Sequence, residues 1–396
     1  MEVSIMSKRM ISIVVTVFML VSIISGCTSE SPGTSSEQEA SAEQEASTET
    51  IKIGAGLALT GGSAEQGNRA RRGTLLAIEE ANAEGGIDGK LIELVALDDR
   101  ADPKEAANVA NRLAADESVV AVIGHINSSC TLAAAPIYNK NELVHITTCS
   151  SSPAISDAGD YTFRVWNSDA YTASFNTYQI IDRGYTKVGI IYENNDYGRG
   201  GYEVTVETLA KEGIEPLFAE AYLLGETKDF STIITKLKNA GVEAVMGIAD
   251  ETEIPLFMKQ SHQLGYEPFF ASSGTYNPAV IRLGGEDVNG IVGSTFFDPA
   301  NPPEKVEQFF KKFLDRFSAE GVTGTDPVSP ASYDATKMII QALREKGTTR
   351  EDVQAYLSDL KDFEGVLGKL SFDENGDTII PLVKMMIEDG EFKEIK

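Results

Sequence analysis

Cysteine and histidine are scarce, with three of each in 396 residues. That scarcity excludes a disulfide scaffold and argues against a zinc site built from several thiol or imidazole ligands. Basic residues are also few, 34 Lys and Arg against 60 Asp and Glu, for a net charge of −26. Binding a phosphate backbone or an anionic membrane surface needs clustered positive charge, so nucleic acid is excluded as a partner and a polybasic membrane patch is absent. No apolar run reaches the roughly 20 residues of a spanning helix. Against these absences, 42% of residues are apolar and 24% charged, which is ordinary globular usage. The length suggests two domains, possibly a third.

The amino-terminal 50 residues stand apart. Lys8 and Arg9 precede an apolar run over Met10–Ile24, closed by the small residues Ser25 and Gly26 and then Cys27. This is the plan of a secretory signal. Ile24-Ser25-Gly26-Cys27 resembles the lipobox of bacterial-type lipoproteins, which implies a signal peptide over 1–26, cleavage before Cys27 and a lipid on its thiol; a plain signal anchor is the alternative. Thr28–Thr50 holds only Ser, Thr, Glu, Ala, Gln, Gly and Pro, with Glu-Gln-Glu-Ala-Ser at 37–41 and again at 43–47. Such a segment cannot bury a core, so 27–50 reads as a solvated tether. Residues 51–396 keep 53 acidic and 32 basic residues, which suits a body working in solution beside a membrane.

From Ile51 onward, apolar runs alternate with segments of helical periodicity. Continuous runs such as Val119–Gly124, Lys187–Tyr192 and Ala244–Ile248 fit strands buried on both faces of a parallel sheet. Between them, Arg69–Ala83, Pro103–Ala115, Phe230–Asn239 and Pro255–Leu264 read as helices. The alternation predicts an α/β fold of two doubly wound parallel-sheet lobes, the second beginning near Gly184–Val188. Helices at Glu304–Ala319, Pro330–Glu345 and Arg350–Leu360 follow. Lys369–Phe372, Ile380–Met386 and Phe392–Ile395 read as antiparallel strands joined by turns at 373–377 and 388–390.

Most chemical motifs are incomplete. Gly54-Ala55-Gly56 lacks the third dinucleotide-binding glycine, and Gly61–Gly67 lacks the lysine of a phosphate loop. Both read as strand-to-helix turns, and no cofactor is expected. His125, His145 and His262 are too scattered to share a metal, and His145 reads as a core residue. There is no Gly-x-Ser-x-Gly nucleophile elbow. Cys130 and Cys149 follow neighbouring strands; they read as two core thiols, with a disulfide as the alternative. Hydroxyls are the stronger signal. Ser128 and Ser129 follow one strand, ahead of a helix expected near Thr131, and Ser150 and Ser151 follow the next. The carboxyl ends of neighbouring parallel strands are where open α/β sheets bind ligands. There, hydroxyls and free helix amides hold a carboxylate, or the serines serve only as caps.

Glu84-Gly85-Gly86-Ile87-Asp88-Gly89-Lys90, followed by Leu97-Asp98-Asp99-Arg100-Ala101-Asp102-Pro103, closely resembles the Leu/Ile/Val-binding protein family of type I periplasmic binding proteins. Val122–Gly124 with Ser128-Ser129, Asp196-Tyr197-Gly198 and Ser332-Tyr333-Asp334-Ala335 match further family segments. The resemblance spans residues 51–396. It implies two lobes, 51–167 with 299–370 and 168–298 with 371–396, joined by a three-crossing hinge. It also implies a small ligand clamped between them and handed to the permease subunits of an ABC transporter. Carried over by position, Ser128 binds the ligand carboxylate, Ser150 and Ser151 stand where the family has an Ala backbone carbonyl and a Thr that bind the carboxylate and amine, and Tyr197 closes from the second lobe.

The departures bear on the ligand. The disulfide positions of the family read Ala101 and Asn127, and a pocket aromatic reads Gln66. The acid that pairs with the ligand amine reads Ser273, with Asp250 or Glu251 as replacement; a helix cap is the other reading of Asp250. These changes point away from strict leucine specificity and leave a more polar amino acid, a small carboxylate or an amide open. The expected protein is thus a lipid-anchored extracytoplasmic solute receptor, not an enzyme. A sensor of the same fold that signals to a membrane partner is one alternative. A serine hydrolase using His125 as base is another, although the His125 ring is expected to point into the lobe.

Overall fold

The computed structural model describes residues 50–274 and 277–396; Cys27, the signal segment and the tether lie outside them. In the first sheet, β1 (Ile51–Leu57), β2 (Ile92–Asp98), β3 (Val119–Gly124), β4 (His145–Thr147) and β5 (Thr162–Arg164) run parallel in the order β2-β1-β3-β4-β5. Every residue of β3 is buried, as its unbroken apolar run requires. The crossovers are α1 (Ala64–Ala83), α2 (Pro103–Ala115) and α3 (Ser128–Lys140). The α2 helix starts where it does because Asp102 accepts from the amides of Lys104 (2.7 Å) and Glu105 (3.3 Å), with Pro103 next in line.

The second sheet is built from β6 (Val188–Glu193), β7 (Phe218–Tyr222), β8 (Ala244–Ile248), β9 (Phe269–Ser272) and β10 (Val292–Thr295), all parallel. The terminal hairpin, β13 (Val383–Glu388) and β14 (Glu391–Glu394), adds to it antiparallel, giving β14-β13-β10-β9-β8-β6-β7. Its helices are α4 (Asp169–Ile181), α5 (Asp196–Lys211), α6 (Ser231–Asn239), α7 (Glu253–Gln263) and α8 (Pro278–Gly284). The helices α9 (Glu304–Phe317), α10 (Val328–Glu345) and α11 (Arg350–Asp359) return to the first sheet, where α10 packs along α1. That packing needs a glycine: a Cβ on Gly73 would stand 2.2 Å from the Ser329 carbonyl oxygen. Among the described residues, no helix is long and apolar enough to cross a membrane.

The chain therefore passes between the sheets three times, from β5 to α4, from β10 to α9 and, after the small hairpin β11 (Phe363–Gly365) and β12 (Gly368–Leu370), into β13. The first and third crossings are bonded side by side. Arg164, fully buried, donates to both carboxylate oxygens of Asp377 (2.7 and 2.6 Å), to the Ser152 carbonyl (2.9 Å) and to Ser156 Oγ (2.9 Å). Asn167 pairs with the backbone of Ile380 in both directions, each at 2.7 Å.

Several sequence expectations need correction. Residues 369–372 do not join the terminal strands: β12 pairs with β11, and the 373–377 turn docks on β5 instead of closing a hairpin. Gly54 and Gly56 lie within β1, not in a turn. Gly56 is needed because the His125 ring lies against it; a Cβ there would come 2.5 Å from that ring. Finally, α1 begins at Ala64 rather than Arg69, and α3 at Ser128 rather than near Thr131. These earlier starts place Gln66 and both serines in first helical turns.

Candidate functional site

The carboxyl ends of both sheets face a common cavity of about 120 Å³, room for a small organic molecule. From the first lobe come Gln66 and Arg69 of α1, Asn127 and Ser128 at the start of α3, and Cys149 and Ser151 after β4. From the second come Asp169, Glu193, Tyr197, Asp250, Glu251 and Ser273. Trp166 and Phe296, packed edge to face at 4.6 Å, form part of the wall near the crossings.

The first-lobe rim is a set of donors. A helix start leaves its first amides without intrahelical acceptors and carries positive dipole. Ser128 and Ser129 are not caps: the cap position is Asn127, whose side chain instead donates to Ser63 Oγ (2.9 Å). Ser128 Oγ accepts from the Ser152 amide (3.2 Å), and Ser151 Oγ donates to Asp169 (2.7 Å). Ser129 does not line the cavity; its Oγ accepts from the Asp196 amide at 3.1 Å, tying α3 to α5 across the cleft. Gln66 makes a second tie, donating to Glu251 at 2.7 Å. The Ser150 hydroxyl turns away from the cavity. It is held among Thr131 Oγ1 (2.7 Å) and the carbonyls of His125 (3.1 Å) and Ile126 (2.9 Å). Its side chain is therefore committed to fixing the β3–α3 loop.

The second-lobe side is acidic. Burial raises the Asp169 and Glu193 carboxyls to about 7 each. Asp250 is pushed well above its ordinary range, first by burial and then by Glu193 and Glu251, and Glu251 is raised by burial. Burial disfavours the charged form of each; like-charged neighbours add to this at Glu193 and Asp250, whereas Arg164 opposes it at Asp169 and Arg69 at Glu251. Asp250 does not cap a helix with its side chain: Thr252 holds the cap position of α7, and only the Asp250 carbonyl accepts, from Ile254 at 3.3 Å. Glu193 accepts from Asn195 Nδ2 (2.8 Å), the Asp250 amide (3.0 Å) and the Tyr222 hydroxyl (3.3 Å). Burial likewise raises the Tyr197 phenol, which stays a neutral hydrogen-bonding group. Three polar atoms on the cavity wall have no partner among the described residues: Asn127 Oδ1, Ser273 Oγ and Thr295 Oγ1.

Of the residues picked out in the sequence, Gln66, Ser128, Ser151, Tyr197, Asp250 and Ser273 therefore meet at one cavity, while Ser129 and the Ser150 side chain stand behind its wall. Asp169 and Glu193 were missed. Glu193 had a legible signal, since it ends a buried parallel strand, where ligand groups gather. Asp169 had none, because only the folding of the first crossing brings it to Ser151. His125 does point into the lobe, with Nδ1 on Asp99 (2.5 Å) and Nε2 on the Tyr138 hydroxyl (3.2 Å), and gives no cavity serine a base. Cys130 and Cys149 are both free thiols, raised by burial. His145 is buried against Thr162 (2.9 Å), and burial lowers it to about 3, so it stays neutral. The described residues contain no group of three His, Cys, Asp or Glu side chains arranged to hold a metal.

Comparison with known proteins agrees with this geometry. The sequence profile of the family described as periplasmic binding protein matches residues 50–390. A Leu/Ile/Val-binding protein homolog from Brucella suis is 32% identical over 84% of this chain and 88% of its own. A leucine-binding protein from Thermotoga maritima superposes with a TM-score of 0.80 at 25% identity, covering 88% of this chain and 98% of that one. A branched-chain amino acid transporter substrate-binding protein from Streptococcus pneumoniae, solved with isoleucine, gives 0.77 at 25% identity, covering 87% and 98%. The chain belongs to the periplasmic binding protein family, in its two-lobed type I form.

Proposed function

We propose that this chain is the extracytoplasmic solute receptor of an ABC importer and that it traps an amino acid between its lobes. The observation that carries the reading is the polarity of the cavity. One wall offers hydroxyls and the amino-terminal end of α3, and the facing wall offers carboxylates. A zwitterion matches both, with its carboxylate on the Ser128 and Ser151 side and its ammonium on the acids, under Tyr197. The names of the relatives, which refer to leucine, isoleucine and valine, support the amino acid class.

The same polarity supplies a mechanism. Closing the cleft buries several carboxylates away from water, which is costly without a positive charge beside them. A bound ammonium offsets that cost only in the closed form. Differential contact of this kind shifts an open–closed equilibrium towards closure, and the closed form then docks on the permease. A lipid on Cys27 and the 27–50 tether hold the receptor at the outer membrane face. Titration calorimetry of the ligand-stripped protein with a panel of L-amino acids, and with analogues lacking either the amine or the carboxylate, tests the reading. Ser128→Ala should weaken the amino acid by about 1–3 kcal/mol, because it leaves a desolvated carboxylate short of a donor. Unchanged affinity in that variant, or equal affinity for amine-free analogues, overturns it.

A further inference from the structure

The cavity is far more acidic than one ammonium requires. Four carboxylates line it, Asp169, Glu193, Asp250 and Glu251, and a single cation, Arg69. Arg69 is shared, with Nη2 at 2.5 Å from Glu65 and Nη1 at 3.8 Å from Asp326, so only part of its charge bears on Glu251. Three of the four acids are met by neutral donors: Ser151 on Asp169, Asn195 and Tyr222 on Glu193, and Gln66 on Glu251. Glu253, buried behind them, adds a further negative charge facing Glu193.

The acids also fall into two groups. Asp169 is hydrogen-bonded to Ser151 on the serine rim, where the α-ammonium of a bound amino acid would stand. Asp250 and Glu251 follow β8 and meet α1 through Gln66. This end presents carboxylates, the Gln66 amide and Ser273 beside the apolar Ile126 and Val328, which pack with Ala70 of α1; the acids there have no place in a purely aliphatic pocket. Thr295, only 4% exposed, leaves its Oγ1 without a partner on the cavity wall, and Asn127 Oδ1 can only accept. The carboxylates and Asn127 Oδ1 accept, and the Ser273 and Thr295 hydroxyls can do so, which suits a guest carrying N–H donors.

Resting on the reading of an amino acid held between the lobes, we infer that the ligand carries a second positive charge: it is an amino acid with an ammonium or guanidinium side chain, bound by Asp250 and Glu251. The α-ammonium is met by Asp169, and the side-chain cation supplies counter-charge to Asp250 and Glu251, with Glu193 beside them through the Asp250 amide at 3.0 Å.

The test pairs each cationic amino acid with a neutral mimic of its shape, using calorimetry on the purified full-length protein stripped of bound ligand. L-Lysine is compared with L-norleucine, and L-arginine with L-citrulline, with L-leucine as the branched-chain reference. At least one cationic member should bind ten times or more tighter than its mimic and than leucine. Glu251→Gln and Asp250→Asn should shrink that ratio towards one, with circular dichroism checking the fold of each variant; a ratio unchanged in both variants overturns the inference. Norleucine, citrulline or leucine binding as tightly as both cationic partners overturns the inference and leaves the amino acid receptor standing. Failure of every amino acid to bind overturns the receptor reading itself.

Discussion

Arg164 is among the largest fully buried side chains of the molecule, and its charge is balanced by Asp377, 213 residues further along the chain. Asp377→Ala removes two charge-assisted hydrogen bonds of 2.7 and 2.6 Å and leaves the guanidinium on two neutral acceptors, the Ser152 carbonyl and Ser156 Oγ. Breaking one side of a buried ion pair typically costs about 3–5 kcal/mol, because an uncompensated charge stays behind. Asp377 is 12% exposed, so water can partly replace it, which puts the expected loss near the lower end, about 3 kcal/mol. Urea unfolding of the ligand-free protein reads this as a lower midpoint at unchanged slope. Arg164→Met combined with Asp377→Leu should be less damaging than Asp377→Ala alone, since removing both charges leaves none to strand. A loss below about 1 kcal/mol in Asp377→Ala, or a double variant as unstable as the sum of its parts, would refute the claim that this pair locks the first crossing to the third.

Stability should also respond to pH through Asp169, Glu193 and Asp334, each raised by burial to about 7. Between the ordinary carboxyl range and about 7, the folded protein holds protons that the unfolded chain has released. Stability therefore falls as pH rises through that window, by up to about 1.4 kcal/mol per pH unit for each such proton. Calorimetric melting of the ligand-free protein should give a lower midpoint at pH 8 than at pH 5.5, and an equal or higher one would contradict the assignment. Cys27→Ser should release the protein from the membrane fraction of producing cells, as read by fractionation and blotting; retention on the membrane would contradict the lipid anchor.

Much of the fold was legible along the chain because its strands are local facts. Runs such as Val119–Gly124 and Ala244–Ile248 are apolar throughout because both faces of their sheets are covered. Pro103 marks the start of α2 just as Asp102 caps it. Helix starts were less legible where no such punctuation exists. Ser128 opens α3 behind a cap residue whose side chain points elsewhere, and three residues of error there changed the serines from loop to helix. The serine-bearing strand ends and Tyr197 could be chosen because parallel sheets gather ligand groups at one edge, and the family resemblance narrowed the choice.

Local patterning settled that alternating apolar runs would form two parallel sheets and that hydroxyls would stand at the strand ends. Those features depend on periodicity and residue type within a few positions. Which hydroxyls reach a guest, and how many acids surround it, depended on three chain crossings that join segments more than a hundred residues apart. Ser150 and Ser151 are neighbours, yet one is buried against Thr131 and the other meets Asp169 at the cavity. Desolvation, which turns scattered carboxylates into a demand for positive charge, arises only when the lobes enclose them together.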